Sequence, residues 1–201
     1  IRTEELLAAR ELDGARQFFT RAYDFGFSKS ADETFRFWPR DSILKDVVDV
    51  IRRFKPQIII AVFSGTPADG HGQHQVSGMV ARQAFDLLGD TAGEPVKFFR
   101  STRFDTAATT VTLPTGTLDP VLGQSYFQVA MASRSRHRSQ DMGALQRPGP
   151  ATARLGLIAT DQVEEHYGDA ATVARVAATV PLGAMGTPGD VADARVYLSS
   201  P

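Results

Sequence analysis

The sequence predicts an α/β fold, a parallel sheet with flanking helices and a β-hairpin insertion. Three observations carry that expectation. DSILKDVVDVIRRFKP (41–56) puts Ile43, Val47, Val50, Ile51 and Phe54 on one helical face and stops at Pro56. QIIIAVF (57–63) is an unbroken apolar, β-branched run, the pattern of a strand buried on both faces of a parallel sheet. The run then passes through SGTPADGHGQHQVSG, rich in glycine, into a second amphipathic helix carrying Val76, Met79, Val80, Ala84 and Leu87. Helix, buried strand, turn and helix in that order form the alternation from which α/β layers are built.

The remaining elements follow in chain order. TEELLAARELDGARQFFT (3–20) sets Leu6, Ala9, Leu12 and Ala15 near helical spacing, with Thr3 as N-cap and acids in the first turn, and reads as a helix. YDFGFSKSADETFRFWPR (23–40) mixes aromatics with Gly, Ser and Pro without a sustained period. It is expected as a loop with at most a short edge strand, placed to line a site. The helix at 41–56 starts from an Asp41 or Ser42 cap. PVKFFRSTRF (95–104) reads as a strand, and Thr106–Leu113, a Pro-Thr-Gly turn and the run up to Ala130 read as a hairpin. SRSRHRSQDMGALQRPGP (133–150) is polar and basic, with a short helix expected before Pro148. ARLGLIATDQ reads as strand and loop, DAATVARVAATVP as a short helix, and Thr187-Pro188 as the N-cap and N1 pair of a last helix. No internal repeat is present.

Composition narrows the function. A chain of 201 residues buries one core, or a core and a small appendage. With 22 basic and 23 acidic residues and a formal charge of −1, it carries no electrostatic footprint for nucleic acid or an anionic membrane. Small neutral or zwitterionic ligands stay open. The absence of cysteine excludes disulfide scaffolds, thiolate zinc sites and cysteine nucleophiles. No apolar run approaches the roughly 18 residues a membrane span needs, and IRTEELLAAR opens on a charged helical pattern rather than a signal peptide. The compartment is left undetermined. A start inside a helix, without an initiator Met, leads to the expectation that a segment upstream is missing.

The chemistry concentrates in ADGHGQHQVSG (68–78), which falls at a strand's carboxyl end and a helix's start, where open α/β sheets bind ligands. His71 and His74 can converge on one point because Gly70 and Gly72 free the backbone. That suits a metal or a proton relay. Catalytic zinc takes three protein ligands and an open position for water, so the pair does not suffice, and Asp69 stands beside it as a possible oxygen donor or general base. The competing reading is a polar loop. In SRSRHRSQDMG, Arg136 and His137 lie among further arginines and Gln140, a grouping that suits a substrate carboxylate or phosphate. The alternative there is a solvated basic face. His166, in EEHYGD, reads as surface.

Residues 1 to about 155 resemble the PIG-L (LmbE-like) zinc-dependent N-deacetylases, specifically the larger bacterial members. The matching stretches are IRTEELLAARELDGARQFFTRAYDFGFS, FRFWPRDSILKDVVDVIRRFKPQIIIAVFSGTPADGHGQHQVSG, FRSTRFDTAATTVTLPTG and ASRSRHRSQDMGALQRPGP. The resemblance implies a Rossmann-like fold and the removal of N-acetyl groups from amino sugars or related amides, a small-molecule substrate, with a zinc-activated water. It makes His74 the third zinc ligand and His71 the neighbouring histidine that stabilises the oxyanion. Arg2, opening the Arg-x-x-Glu-Leu helix, and Asp24, before Gly26, resemble substrate-contacting positions. In the family the first two zinc ligands and the general base come from a His-Pro-Asp-Asp element upstream of this helix. None of the four histidines here is followed by Pro-Asp, so the Rossmann-like sheet and the zinc (Zn) site are expected to be incomplete, the activity impaired, and an unpaired sheet edge open to self-association.

Residues 156–201 resemble the carboxyl-terminal section of a short-chain dehydrogenase/reductase, with a Pro-Leu-Gly turn, a Thr-Pro-x-Asp-Val-Ala helix start and a Leu-x-Ser end. The division expected is therefore a deacetylase-like core at 1–155 and a dehydrogenase-like segment at 156–201. That family's Thr-Gly-x-x-x-Gly-x-Gly loop and Tyr-x-x-x-Lys pair are absent from the sequence, so NAD(P)-dependent hydride transfer has no residues here to run on. The remaining alternative is a non-catalytic, truncated or chimeric chain.

Overall fold

The amphipathic stretch after Pro39 forms helix α3 (Arg40–Phe54), and its face of Ile43, Val47, Val48 and Ile51 is buried. Pro39, not Asp41 or Ser42, holds the N-cap position, and Val48 takes the buried place expected of Val50. The helix ends where Lys55 turns into the left-handed region (φ 55°) and its N–H closes on the Ile51 carbonyl at 2.7 Å, ahead of Pro56. This computed structural model describes residues 1–88, 95, 97–103, 105–140 and 143–160.

Strand β1 (Ile58–Ala61) follows, then helix α4 (Gly72–Leu88) and strand β2 (Lys97–Ser101). The two strands pair in parallel, Ile58 opposite Lys97 and Ala61 opposite Arg100, so β1, α4 and β2 make one crossover unit. The core is the apolar face of α3, Ile59 and Ala61 of β1, Val76, Val80, Ala81, Ala84, Phe85 and Leu88 of α4, and Phe98 of β2. Continuous burial of this kind stabilises by about 25 cal/mol for each Å² of apolar surface removed from water.

Beyond β2 the sheet departs from the all-parallel expectation. Strand β3 (Val111–Leu113) does not turn back on the segment that follows it. It pairs antiparallel with β6 (Ala153–Thr160), which also pairs antiparallel with β2, giving the order β1-β2-β6-β3. The sheet is mixed because β6 enters between β2 and β3 without a crossover helix to reverse its direction. A bulge between Phe98 and Phe99 absorbs the register change against β6. β6 runs unbroken through residues 155 and 156, so residues up to 160 belong to this same sheet. Among the described residues β1 has one ladder partner and is a sheet edge.

The hairpin is smaller and later than the sequence suggests, formed by strands β4 (Leu118–Asp119) and β5 (Gln124–Ser125). The run after it, expected as a strand, is helix α5 (Tyr126–Arg134). A reciprocal cap decides this: Ser125 Oγ accepts from the Gln128 N–H at 3.2 Å, and Gln128 Oε1 accepts from the Ser125 N–H at 3.0 Å. The segment after it holds a single 3-10 turn at Arg138–Gln140 rather than a helix running toward Pro148.

Helix α1 (Arg2–Asp13) ends at Gly14 (φ 70°) rather than near Thr20, and Thr3 lies inside it, with Ile1 at the N-cap. It packs on α5 through polar contacts. Arg10 pairs with Asp13, and Ser133 Oγ donates to the same carboxylate at 2.8 Å. Burial pushes the Asp13 carboxyl up, but Arg10, the Ala15 N–H and Ser133 outweigh it and hold it below the usual carboxylate range. Glu5 accepts from Ser139 N–H (2.7 Å) and Oγ (2.6 Å).

The segment 23–40 contains no strand. It holds helix α2 (Ala31–Thr34), capped by Ser30, and an aromatic cluster in which Phe25 stacks on Phe37 (4.2 Å between centroids) and meets Trp38 edge-on (5.6 Å). The Trp38 indole N–H donates to the Tyr23 carbonyl at 2.9 Å. No helix of the described residues is long and apolar enough to cross a membrane. His166, the two helices expected from 169 on and the rest of the segment expected to be dehydrogenase-like past Thr160 lie outside the described residues.

Candidate active site at the carboxyl end of β1

The turn from β1 to α4 is organised by one carboxylate. Asp69 accepts from the N–H groups of Ser64 (2.9 Å), Gly65 (2.7 Å) and Thr66 (3.1 Å) and from Ser64 Oγ (3.0 Å). Its own residue closes a one-turn 3-10 helix, Pro67–Asp69, so the Thr66 and Asp69 side chains cap each other's backbone. The Asp69 carboxylate thus faces the turn, while its backbone carbonyl oxygen lies 3.2 Å from His74 Nδ1.

Two glycines let this turn press against its neighbours. A Cβ on Gly72 would lie 2.0 Å from the Ser30 carbonyl oxygen, and one on Gly78 would lie 2.2 Å from the Gly65 nitrogen. The first contact seats α4 against α2. The second seats it against the strand's exit, which carries Phe63.

Four rings then form a row. Phe63 stacks on His74 at 3.8 Å between centroids, His74 lies 3.7 Å from His71 at a 36° tilt, and Phe27 meets His71 edge-on at 5.8 Å. Phe27 is 72% exposed and Phe63 half-buried, so the row opens toward its Phe27 end. Burial, with a smaller contribution from the neighbouring His71, holds the His74 imidazole below the usual histidine range against the opposing pull of the Asp69 carbonyl. Because a carbonyl oxygen only accepts, His74 Nδ1 carries the proton and Nε2 keeps its lone pair. A neutral imidazole with a bare Nε2 is the form that ligates a metal or takes a proton.

Zinc asks for three protein donors in a catalytic site. Among the described residues no group of three or more His, Cys, Asp or Glu is placed to hold a metal ion. The two imidazoles have no third donor beside them, and the nearest carboxylate is turned onto backbone N–H groups. The described residues therefore do not fit a complete zinc site, and any such site needs donors outside them.

The other residues picked from the sequence fall into two further groups. Arg2 pairs with Asp24 at 3.6 Å, and with the Gln140 amide turned to satisfy its contacts, Gln140 oxygen accepts from Arg2 Nη2 (3.0 Å) and Nε (3.2 Å). His137 and Arg136 sit past the end of α5. Burial, then the charge of Arg10, holds the His137 imidazole below the usual range, with Glu5 opposing, and Arg136 is exposed. The open groove between residues 17–21 and Asp46, Asp49 and Arg53 shares no residue with any of these groups.

The sequence reasoning passed over two glutamines in the first turn of α4. Gln73 and Gln75 are 7% and 5% exposed. Gln75 Nε2 donates to the Gly70 carbonyl (2.9 Å) and its Oε1 accepts from the Ala31 N–H (3.1 Å). Gln73 reaches the 26–28 loop and His71. The available signal covers only Gln73, which falls on the helix face of Val76 and Val80, whereas Gln75 lies about 200° on from Gln73 around the helix.

Searches of curated proteins and of solved structures found no match to the chain. A family model does match, and the segment it covers contains α1, the aromatic loop, β1 and the histidine row. The match is to the PIG-L family model, described as GlcNAc-PI de-N-acetylase, over residues 1–85.

Proposed function

We propose that the chain is built on the site of a hydrolase that removes an N-acetyl group from an amino sugar or related amide. The observation that carries this reading is the His71 and His74 pair, stacked at the strand's carboxyl end within the family-matched segment. Deacylation places negative charge on the acetyl oxygen as water adds to the amide carbon. In this reading His71, at the open end of the row, donates from Nε2 to that oxygen when protonated. His74, neutral and half-buried, offers its Nε2 lone pair. Asp69 is assigned a site role as well, through the turn it holds or as an acid–base group. Arg2 and Asp24 contact the substrate's polar groups, and Arg136 and His137 meet a carboxylate or phosphate on it.

The family implies zinc, which when bound would supply a water of lowered pKa. His74 is the residue assigned to it, and the further donors are assigned to residues outside those described. The short ladder partner list of β1 supports one more proposal, that this edge pairs with a second copy of the chain. Sedimentation that shows a monomer at all concentrations would overturn it.

Activity is tested by release of acetate from N-acetylglucosamine and its glycosides, with and without added zinc. His71→Ala and His74→Ala are expected to lower the rate by 100-fold or more, on the order of what removing one oxyanion donor costs. Variants that turn over as fast as the parent chain would overturn the assignment.

A further inference from the structure

The environment of His71 differs from that of His74 in a way that singles out one side chain. Gln73 Nε2 points at the carbonyl oxygen of Gly26. A carbonyl can only accept, so the amide nitrogen must lie on that side and Oε1 on the other. Oε1 lies 2.9 Å from His71 Nδ1 and accepts from Ser28 Oγ at 2.8 Å. Ser28 is itself 1% exposed and 2.7 Å from Thr34 Oγ1. The Gly72 N–H adds a bond to the Ser28 carbonyl at 2.9 Å, which fixes the loop to the same turn of α4.

An amide oxygen has no proton to give. Its contact with His71 is a hydrogen bond only if Nδ1 carries the proton, which leaves Nε2 as the ring's exchangeable position. We propose that Gln73 is a positioning residue that fixes the Nδ1–H tautomer and ring orientation of His71, so that Nε2 is the atom presented beside Phe27 at the open end of the ring row. Gln73 does this from the interior, held by Gly26, Ser28 and the helix start, and it needs no contact with substrate. The inference rests on the proposed deacylase reading only for what Nε2 then does. The tautomer itself stands without it.

The test is the histidine nitrogen and ring-carbon NMR spectrum of the whole chain at a pH where the imidazoles are neutral. In the parent chain His71 is expected to show a protonated Nδ1 and a bare Nε2. Gln73→Met, similar in size and without an acceptor oxygen, is expected to shift His71 toward the Nε2–H form that free imidazole prefers. Gln73→Glu, which retains the acceptor, should restore Nδ1–H, and in a deacetylation assay should recover kcat relative to the Met variant with KM little changed. Should the Met variant not fold, Ser28→Ala leaves Gln73 in place and is expected to preserve the Nδ1–H signal. An Nε2–H His71 in the parent chain, or an unchanged Nδ1–H tautomer in a folded Gln73→Met variant, would overturn the proposal. Absence of deacetylase activity with the Nδ1–H signal intact would count against the functional reading alone.

Discussion

Replacing Gly78 by alanine probes whether the close approach of α4 to the strand's exit builds the site. The new Cβ would sit 2.2 Å from the Gly65 nitrogen and 2.8 Å from the Phe63 carbonyl oxygen, where ordinary contact begins at 3.4 Å, so the turn or the helix must give by about 1.2 Å. Both neighbours are backbone, and neither can rotate away. Overpacking of this kind costs about 1–3 kcal/mol. The shift also pulls the Gly65 N–H from Asp69, a 2.7 Å bond to a carboxylate, and bonds to charged groups contribute about 1.5–3 kcal/mol net. Alanine's better helix propensity returns about 1 kcal/mol. The net expectation is a loss of about 1.5–5 kcal/mol, which for a chain of this length lowers Tm by about 3–20 °C. Calorimetry or circular dichroism reads the shift, and the ring-current shift of the His74 protons under Phe63 reads the site. An unchanged or raised Tm with an unmoved His74 resonance would refute the reasoning.

Three further outcomes are expected. The His74 and His137 imidazoles are both held below the usual value of 6.5, so the unfolded chain binds protons first. Their contribution to stability is present above about 6.5 and lost as pH falls through the folded-state values. Asp13 and Asp46 lie below the usual 3.8 and contribute above that value, with the loss confined to pH below it. Urea midpoints measured against pH should therefore fall in two separated steps, and a single acid step would contradict the histidine assignment. If the described residues alone hold zinc, dialysis should remove it, because two imidazoles without a third donor among them hold it weakly. One tightly retained zinc per chain would place further donors outside the described residues. Ser125→Ala removes the α5 cap and should cost about 1 kcal/mol, read as a lower urea midpoint, with no change in midpoint counting against the cap.

How much of this was legible depends on which interaction dominates each element. α3, β1 and α4 are set by apolar periodicity, which a sequence displays directly, and they appear within a few residues of where the pattern places them. β6 is different, because its insertion between β2 and β3 is decided by pairing between residues some fifty positions apart. The change of the 126–134 run from strand to helix turns on a four-residue cap, Ser125 to Gln128, that the hairpin reading overrode. At the site, the histidines were visible because imidazoles in a glycine turn are rare. Gln73 was not, since its role comes from Gly26 and Ser28, some forty-five residues earlier in the chain.

The ring row also bears on the charge of His74. The His71 and His74 centroids are 3.7 Å apart, and two unit charges at about 4 Å interact by about 4 kcal/mol at an effective dielectric near 20, less where solvent screens them. A proton on His71 therefore disfavours one on His74. Burial already favours the neutral form of His74, stacked under Phe63. His71 lies on the other side of it, edge-on to the exposed Phe27. A neutral inner imidazole is the form that can hold a ligand or take a proton. Mutating Phe63 to Leu tests this: it removes the stacked ring but keeps an apolar cover, so burial should still hold His74 below the usual range. A His74 titration that rises to that range in Phe63→Leu would mean the stacking itself, rather than burial, keeps the inner ring neutral.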